Sequence, residues 1–302
     1  MSEPSLGPKL PGWQMSEESL RALASEISAG RSLVPQSWPE DNRVAVLLSF
    51  DVDTQTWELM NGGRPSSSDL SQGEYGARVG LQRVMDRLTE YRVPASFFVP
   101  AVSAGLHPNM IETLCSAGGH EIGVHGWVHE HPSSLEPSEE LDLMERSLEL
   151  LTSQAGRRPV GYRAPAYDVH AHTFDILRNL DFLYDSSLMA DDRPYEILKK
   201  GEPTGLIELP VEWIRDDATL LDPRADNFTT PRRWLQSLVD EFELAYEEGT
   251  MFSVTMHPRT IGHRSRILVL RKLIEHIQAK GGAWFATHRE AAECAKTVLA
   301  RG

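Results

Sequence analysis

Cysteine is scarce. Cys115 and Cys294 are the only two in 302 residues, too few for a disulfide framework, and they read as small apolar thiols in a reducing compartment. No apolar run reaches the roughly 20 residues that a transmembrane helix needs. The first residues lack the basic start and apolar core of a cleaved leader, so the expected location is the cytoplasm, with no membrane partner. Basic charge is in deficit too: 30 lysines and arginines stand against 44 acids, a formal net charge of −14. That balance excludes the electrostatic footprint of a nucleic-acid binder or a polybasic membrane anchor. Neither a Gly-x-Gly-x-x-Gly fingerprint nor a phosphate loop occurs, so nothing points to a nucleotide cofactor. No repeat of fixed period is present.

What is present suffices for a sizeable core, with 40% hydrophobic residues. Residues 1–40, punctuated by Pro4, Pro8, Pro11, Pro35 and Pro39, predict an N-terminal extension. It carries one short helix capped by Ser16, and Trp13 and Trp38 tie it to the chain's own surface, the favoured reading, or to a neighbouring subunit. Residues 41–302 predict a single catalytic domain. Strand-like runs at 44–53, 94–100, 120–125, 161–165, 182–184, 207–210, 251–257 and 283–285 alternate with helical patterns, the longest at 137–156 and 231–248. Such alternation means α/β architecture with a parallel sheet. About seven units predict a distorted (β/α)7-type barrel rather than a flat doubly wound sheet. Residues 54–75 read as a long loop beside the first strand, and loops of that length are usually functional.

Polar residues capable of chemistry recur where these strands end, which is where α/β folds place their sites. The run 44–53 is apolar and closes on Asp51 and Asp53; one serves as a base and the other as a metal ligand. His125 and His129 follow a second strand, and one helical turn would bring both rings to one side. Two imidazoles and a carboxylate with open positions make a catalytic site for zinc or a similar ion. In a chain with 11 histidines this spacing means little alone; its place after a strand gives it weight. His131 reads as supporting or surface. Arg163 either pairs with a carboxylate or is an ordinary surface arginine. His257 closes a buried strand, a poor packing choice that favours a role in the site. Trp57 and Trp127 adjoin the acidic and histidine motifs as candidate walls, and Trp213 is core or wall.

Taken in order, Ser49 to Asp53, His125 with His129, Arg163 with Pro165, a tryptophan-bearing segment, and Val254 with His257 resemble the five motifs of the polysaccharide deacetylase superfamily. The details are similar to a branch that includes Helicobacter-type peptidoglycan deacetylase homologues and bacterial cyclic imide hydrolases. Among them are Asp-x-Asp in place of adjacent acids and the segment from Tyr75 to Gly80. The resemblance implies a distorted βα barrel and a divalent metal, zinc first with Ni2+, Co2+ or Fe2+ as alternates. Asp53, His125 and His129 would hold it. It implies Asp51 as base, aimed by Arg163, and His257 as acid, with Glu208, Asp216 and Asp217 as candidate partners for that histidine. A backbone N–H near Tyr167 would receive the oxyanion, and Tyr167, where the family has glycine, would narrow the substrate groove. The implied activity is removal of N-acetyl from an amino sugar. The alternative is ring opening of a cyclic imide or allantoin-like amide. The implied assembly is a homo-oligomer, with a tetramer as the expected form.

Overall fold

The computed structural model describes residues 11–116, 118–222 and 227–300. Pro4 and Pro8 of the expected extension lie outside the described residues. Among the described residues, ten strands form one sheet. They are β1 (Ile27–Ser32), β2 (Val44–Asp51), β3 (Ser96–Val99), β4 (Glu121–Val124), β5 (Gly161–Tyr162), β6 (Tyr184–Asp185), β7 (Tyr195–Lys199), β8 (Glu202–Glu208), β9 (Met251–Met256) and β10 (Ala283–Ala286).

β2 is the axis of this sheet. Every one of its residues is buried, which requires cover on both faces. Val44, Val46, Leu48 and Phe50 face one apolar cluster and Ala45 and Leu47 the other, the period-2 alternation of a strand. β9 runs parallel beside β2 from Ala45 to Phe50. On the other side β2 is shared: β10 pairs with its first half and β3 with its second. From β3 the parallel path continues through β4, β5, β6 and β8. A parallel bridge between Asp216 and Thr255 joins the segment after β8 to β9. The parallel strands thus curl into the expected distorted barrel.

Three expectations need correction. The extension contributes a strand: β1 pairs antiparallel with β7, and β7 with β8. Gly30, Arg31 and Ser32 hid β1, because strand propensity is weak there and the pairing is wholly tertiary. The expected helix is present as Glu17–Ala24 with Ser16 as its cap, and Trp38 is buried with its ring 6.0 Å from that of Trp284. Trp13, 82% exposed, is not an anchor on the chain's own surface among the described residues. Residues 54–75 are not one loop: Thr56–Leu59 and Ser67–Tyr75 are helical. Ser66 caps the second by accepting from the Asp69 N–H. That helix runs through a wide π-type turn, Gly76–Gly80, into Leu81–Tyr91.

Candidate active site

The alternation that buries Val46, Leu48 and Phe50 outward turns Ser49, Asp51 and Asp53 toward the barrel axis. The Asp53 carbonyl is fixed by the Ser103 hydroxyl at 2.7 Å and by the Thr56 hydroxyl. His125 follows β4, Arg163 follows β5 and His257 follows β9, so parallel register delivers all of them to the same end. His129 does not arrive by a helical turn. The chain reverses through Gly126 and His129, both at φ +70°. The Glu130 carboxylate accepts the Trp127 and Val128 N–H groups at 2.8 and 2.7 Å and holds the reversal.

Asp53 Oδ1 stands 3.6 Å from His125 Nε2 and 3.8 Å from His129 Nε2. The His125 Nδ1–H donates to the Arg163 carbonyl at 2.8 Å, and His129 Nδ1 lies 3.4 Å from Met60 Sδ. In these tautomers both Nε2 lone pairs face the carboxylate. Asp53 Oδ1 is buried and has no hydrogen-bond donor among the described residues. Burial pushes the His125 pKa down to about 4 and that of His129 to about 3, so both rings are neutral at neutral pH, the form that coordinates. An orphaned carboxylate oxygen facing two nitrogen lone pairs is repulsive until a cation lies between them. The three residues fit a divalent metal and, being three, leave positions open for water and substrate.

Asp51 is differently placed. Its Oδ1 accepts from Arg163 Nη1 at 2.8 Å. Burial works against its charge, but Arg163, His125 and His257 outweigh it and hold the pKa below the ordinary carboxylate value. Arg163 is fully buried, not a surface arginine. Ser49 and Ser186 accept from it at 2.8 and 2.9 Å, His288 Nε2 lies 3.3 Å away, and the Phe98 ring lies under its Cζ at 4.1 Å.

Of the three partners considered for His257, Asp217 holds it. Its Oδ1 accepts from Nδ1 at 2.7 Å and from the His257 backbone N–H at 3.0 Å. Glu208 serves elsewhere, accepting from the Ser187 and Leu188 N–H groups. Burial opposes an imidazolium at His257, yet Asp216, Asp217 and Asp53 prevail and raise its pKa well above the usual histidine value. Its Nε2 stands 3.9 Å from Asp51 Oδ2 and 3.8 Å from Asp53 Oδ2. Asp216, Asp217 and His257 also approach as a possible ligand group. There, however, the His257 Nδ1–H is given to Asp217, and Asp216 accepts from Tyr167 and from the Ala218 N–H.

A cavity of about 200 Å³ opens over these groups, lined by Trp57, Tyr167, Trp213 and Arg259 among others. Trp57 sits edge-on to His129 with ring centres 5.0 Å apart, and Tyr167 packs against Trp213 at 4.9 Å. Trp127 is not in this lining. It packs against the core with the Arg146 guanidinium 4.2 Å over its ring, because the reversal at Gly126 turns it away. The Tyr167 N–H is given to the Ala164 carbonyl at 3.0 Å, so Tyr167's own amide is not an oxyanion donor. His131 lies near the surface, 3.8 Å from Asp168. Met60, Asp217's role and Arg259 were not foreseen. Asp217 was at least among the candidates, whereas nothing in the sequence separates Met60 or Arg259 from ordinary surface residues.

The helix over 67–80 locks two rims of the site together. A Cβ on Gly73 would meet the Thr54 carbonyl oxygen at 2.3 Å, and one on Gly80 would meet that of Pro258 at 2.0 Å. Thr54 follows Asp53 and Pro258 follows His257. Gly80→Ala is expected to cost about 1–3 kcal/mol through overpacking, read as a lower urea midpoint with unchanged m-value.

Fold and site together define a hydrolase of carbon–nitrogen bonds other than peptide bonds. The chain matches the polysaccharide deacetylase family over residues 74–184. It is similar to the peptidoglycan deacetylase of Helicobacter pylori, with 30% identity over 82% of this chain and 95% of that one. A crystal structure of a Mycobacterium smegmatis protein assigned as a polysaccharide deacetylase superposes with a TM-score of 0.81, at 34% identity over 91% and 96% of the two chains. The structure of an allantoinase shares the fold, with a TM-score of 0.76 at 24% identity over 87% and 96%. The chain belongs to the polysaccharide deacetylase family. No helix among the described residues is long and apolar enough to cross a membrane.

Proposed function

We propose that the protein removes the N-acetyl group from an amino sugar with the help of a divalent metal held by Asp53, His125 and His129. Zinc is the first choice, with Ni2+, Co2+ or Fe2+ as alternates. The reading is carried by one observation: a carboxylate held by Arg163 and an imidazole held by Asp217 converge on the same three-ligand cluster. When bound, the metal polarises the carbonyl and lowers the pKa of a coordinated water to about 7. Asp51 Oδ2 takes the proton of the attacking water, while Arg163 keeps the carboxylate ionised and aimed. The His257 Nε2–H gives its proton to the nitrogen as the carbon–nitrogen bond breaks, so that acetate and a free amine leave. Ala166 lines the cavity at φ +53°, and its backbone is the remaining part of that turn for a developing oxyanion.

The profile of kcat/KM against pH follows from these charges. The acid limb, set by Asp51, lies below the ordinary carboxylate range. The alkaline limb, set by protonated His257, lies above the ordinary histidine value. Asp217→Asn removes a negative charge from the ring and is expected to move the alkaline limb to lower pH. An unmoved limb in a rate–pH series would exclude His257 as the acid.

A second reading is ring opening of a cyclic imide or allantoin-like amide. It is favoured by the size of the cavity, about 200 Å³ against roughly 300–1,000 Å³ for most ligand pockets, and by its aromatic walls. Acetate release from N-acetylglucosamine oligomers, run beside ring opening of succinimide and allantoin with metal-loaded protein, decides between the two. The division into an extension and a single catalytic domain over 41–302, cytoplasmic residence and a homo-oligomer, expected as a tetramer, belong to the same proposal. Light scattering in solution tests the assembly.

A further inference from the structure

A guanidinium carries five N–H donors, and in Arg163 each of them is used. Nε donates to the Ser186 carbonyl at 3.1 Å. Nη1 donates to Ser49 Oγ and to Asp51 Oδ1, both at 2.8 Å. Nη2 donates to Ser186 Oγ at 2.9 Å and to His288 Nε2 at 3.3 Å. Asp51 is the charged acceptor in this set and the others are neutral. The two hydroxyls are committed as acceptors, because Ser49 gives its own hydrogen to the Val254 carbonyl at 3.0 Å and Ser186 gives its own to the Leu209 carbonyl at 2.8 Å.

His288 is fully buried. A guanidinium nitrogen only donates, so His288 Nε2 is bare and Nδ1 carries the ring hydrogen. Burial and then the Arg163 charge push its pKa well below the ordinary histidine value, which keeps the ring neutral. Nδ1 is buried and has no acceptor among the described residues. A histidine that leaves an N–H orphaned in the core is a poor choice for stability alone; its use lies on the Nε2 side. The ring is fixed by its surroundings. The His288 backbone N–H donates to Ser96 Oγ at 2.8 Å. Phe98, which also lies under the guanidinium, stands edge-on to the ring with centres 5.3 Å apart, and Tyr184 lies at 6.1 Å. Thr287 caps the helix His288–Leu299 by accepting from the Glu290 N–H.

We infer that His288 is a positioning residue, which takes one arm of Arg163 and so keeps that arginine on a single oxygen of Asp51. The inference rests on the reading of Asp51 as base and deepens it. Arginine and carboxylate favour a two-pronged pairing that engages both oxygens. Arg163 instead meets Asp51 through Nη1 alone. Were Nη2 free, it would turn toward Oδ2 and occupy the oxygen that takes the proton of water. His288 and Ser186 together hold Nη2 elsewhere, so the base is aimed without being blocked.

The test sets zinc-loaded wild type beside His288→Leu and His288→Gln, each with and without Asp51→Asn, on N-acetylglucosamine oligomers, succinimide and allantoin. Zinc affinity and melting temperature are measured for each. Leucine removes the acceptor, whereas the amide oxygen of glutamine can reach the place of Nε2 and restore it. In His288→Leu kcat is expected to fall about 10- to 100-fold, as for a misplaced catalytic group, with KM and zinc affinity unchanged. His288→Gln is expected to recover most of that loss. In the Asp51→Asn background the leucine change should cost little more, because residues that act as a unit are not additive; a residue that only supports the fold would cost the same factor in both. Wild-type kcat in His288→Leu, or an equal factor in both backgrounds, overturns the inference and leaves the base in place. Zinc loss in step with the rate also overturns it, since His288 would then act on the ligands. Absence of turnover on all three substrates by zinc-loaded wild type rejects the hydrolase reading and the inference with it. If the leucine variant does not fold, nitrogen NMR of histidine-labelled wild type decides, with His288→Gln assigning the signal: a bare Nε2 is expected, and a proton on it overturns the inference.

Discussion

Asp51→Asn protein will purify with its metal bound and turn over substrate about 10²–10⁴-fold more slowly than wild type. The two aspartates separate on geometry. Asp53 offers an oxygen with no donor to two imidazole nitrogens, whereas Asp51 has one oxygen gripped by Arg163. Asparagine keeps an acceptor for that arginine but loses the basic oxygen. It also leaves the buried guanidinium without its carboxylate, and breaking such a pair costs about 3–5 kcal/mol, so a lower melting temperature should accompany the lost rate. Elemental analysis beside steady-state kinetics checks the claim; metal loss in step with rate loss would reassign Asp51 as a ligand.

The second large effect is on the metal itself. His125→Ala is expected to lose both ion and activity. Removing a group that merely supports a ligand costs roughly 10- to 100-fold in metal affinity, and removing the ligand costs more. His125 also carries structure: its Nδ1–H ties β4's end to the Arg163 carbonyl, so the alanine variant loosens the base as well as the ion. Titration of chelator-stripped protein with zinc, followed by calorimetry, separates this variant from Asp51→Asn. Wild-type affinity in His125→Ala would dissolve the three-ligand site.

Much of this site was legible in the sequence because parallel barrels bring strand ends together. Once Asp51, His125, Arg163 and His257 are each read at the end of a buried run, their convergence follows from fold class alone. What was not legible depends on side chains whose surroundings are tertiary. Glu208 ends β8 and Asp216 and Asp217 follow it within ten residues, and the closing bridge between Asp216 and Thr255 brings the latter two to His257. Trp127 sits between the proposed ligands His125 and His129 in the chain, yet a left-handed glycine turns it toward Arg146. β1 is held as a strand by its antiparallel pairing with β7, itself paired with β8, so its run does not announce itself. Gly73 and Gly80 look like unremarkable helix glycines until their neighbours' carbonyls are seen against them.

That last contact bears on how molecules come and go. The shelf that carries Asp53, the proposed ligand, and the shelf that carries His257, the proposed acid, are each packed against one rod, at Gly73 and at Gly80. Backbone contact this close leaves no slack between the rod and either shelf. Away from the rod, Trp213 lines the same cavity and stands 48% exposed, so a guest arriving on that side meets an aromatic ring at the rim.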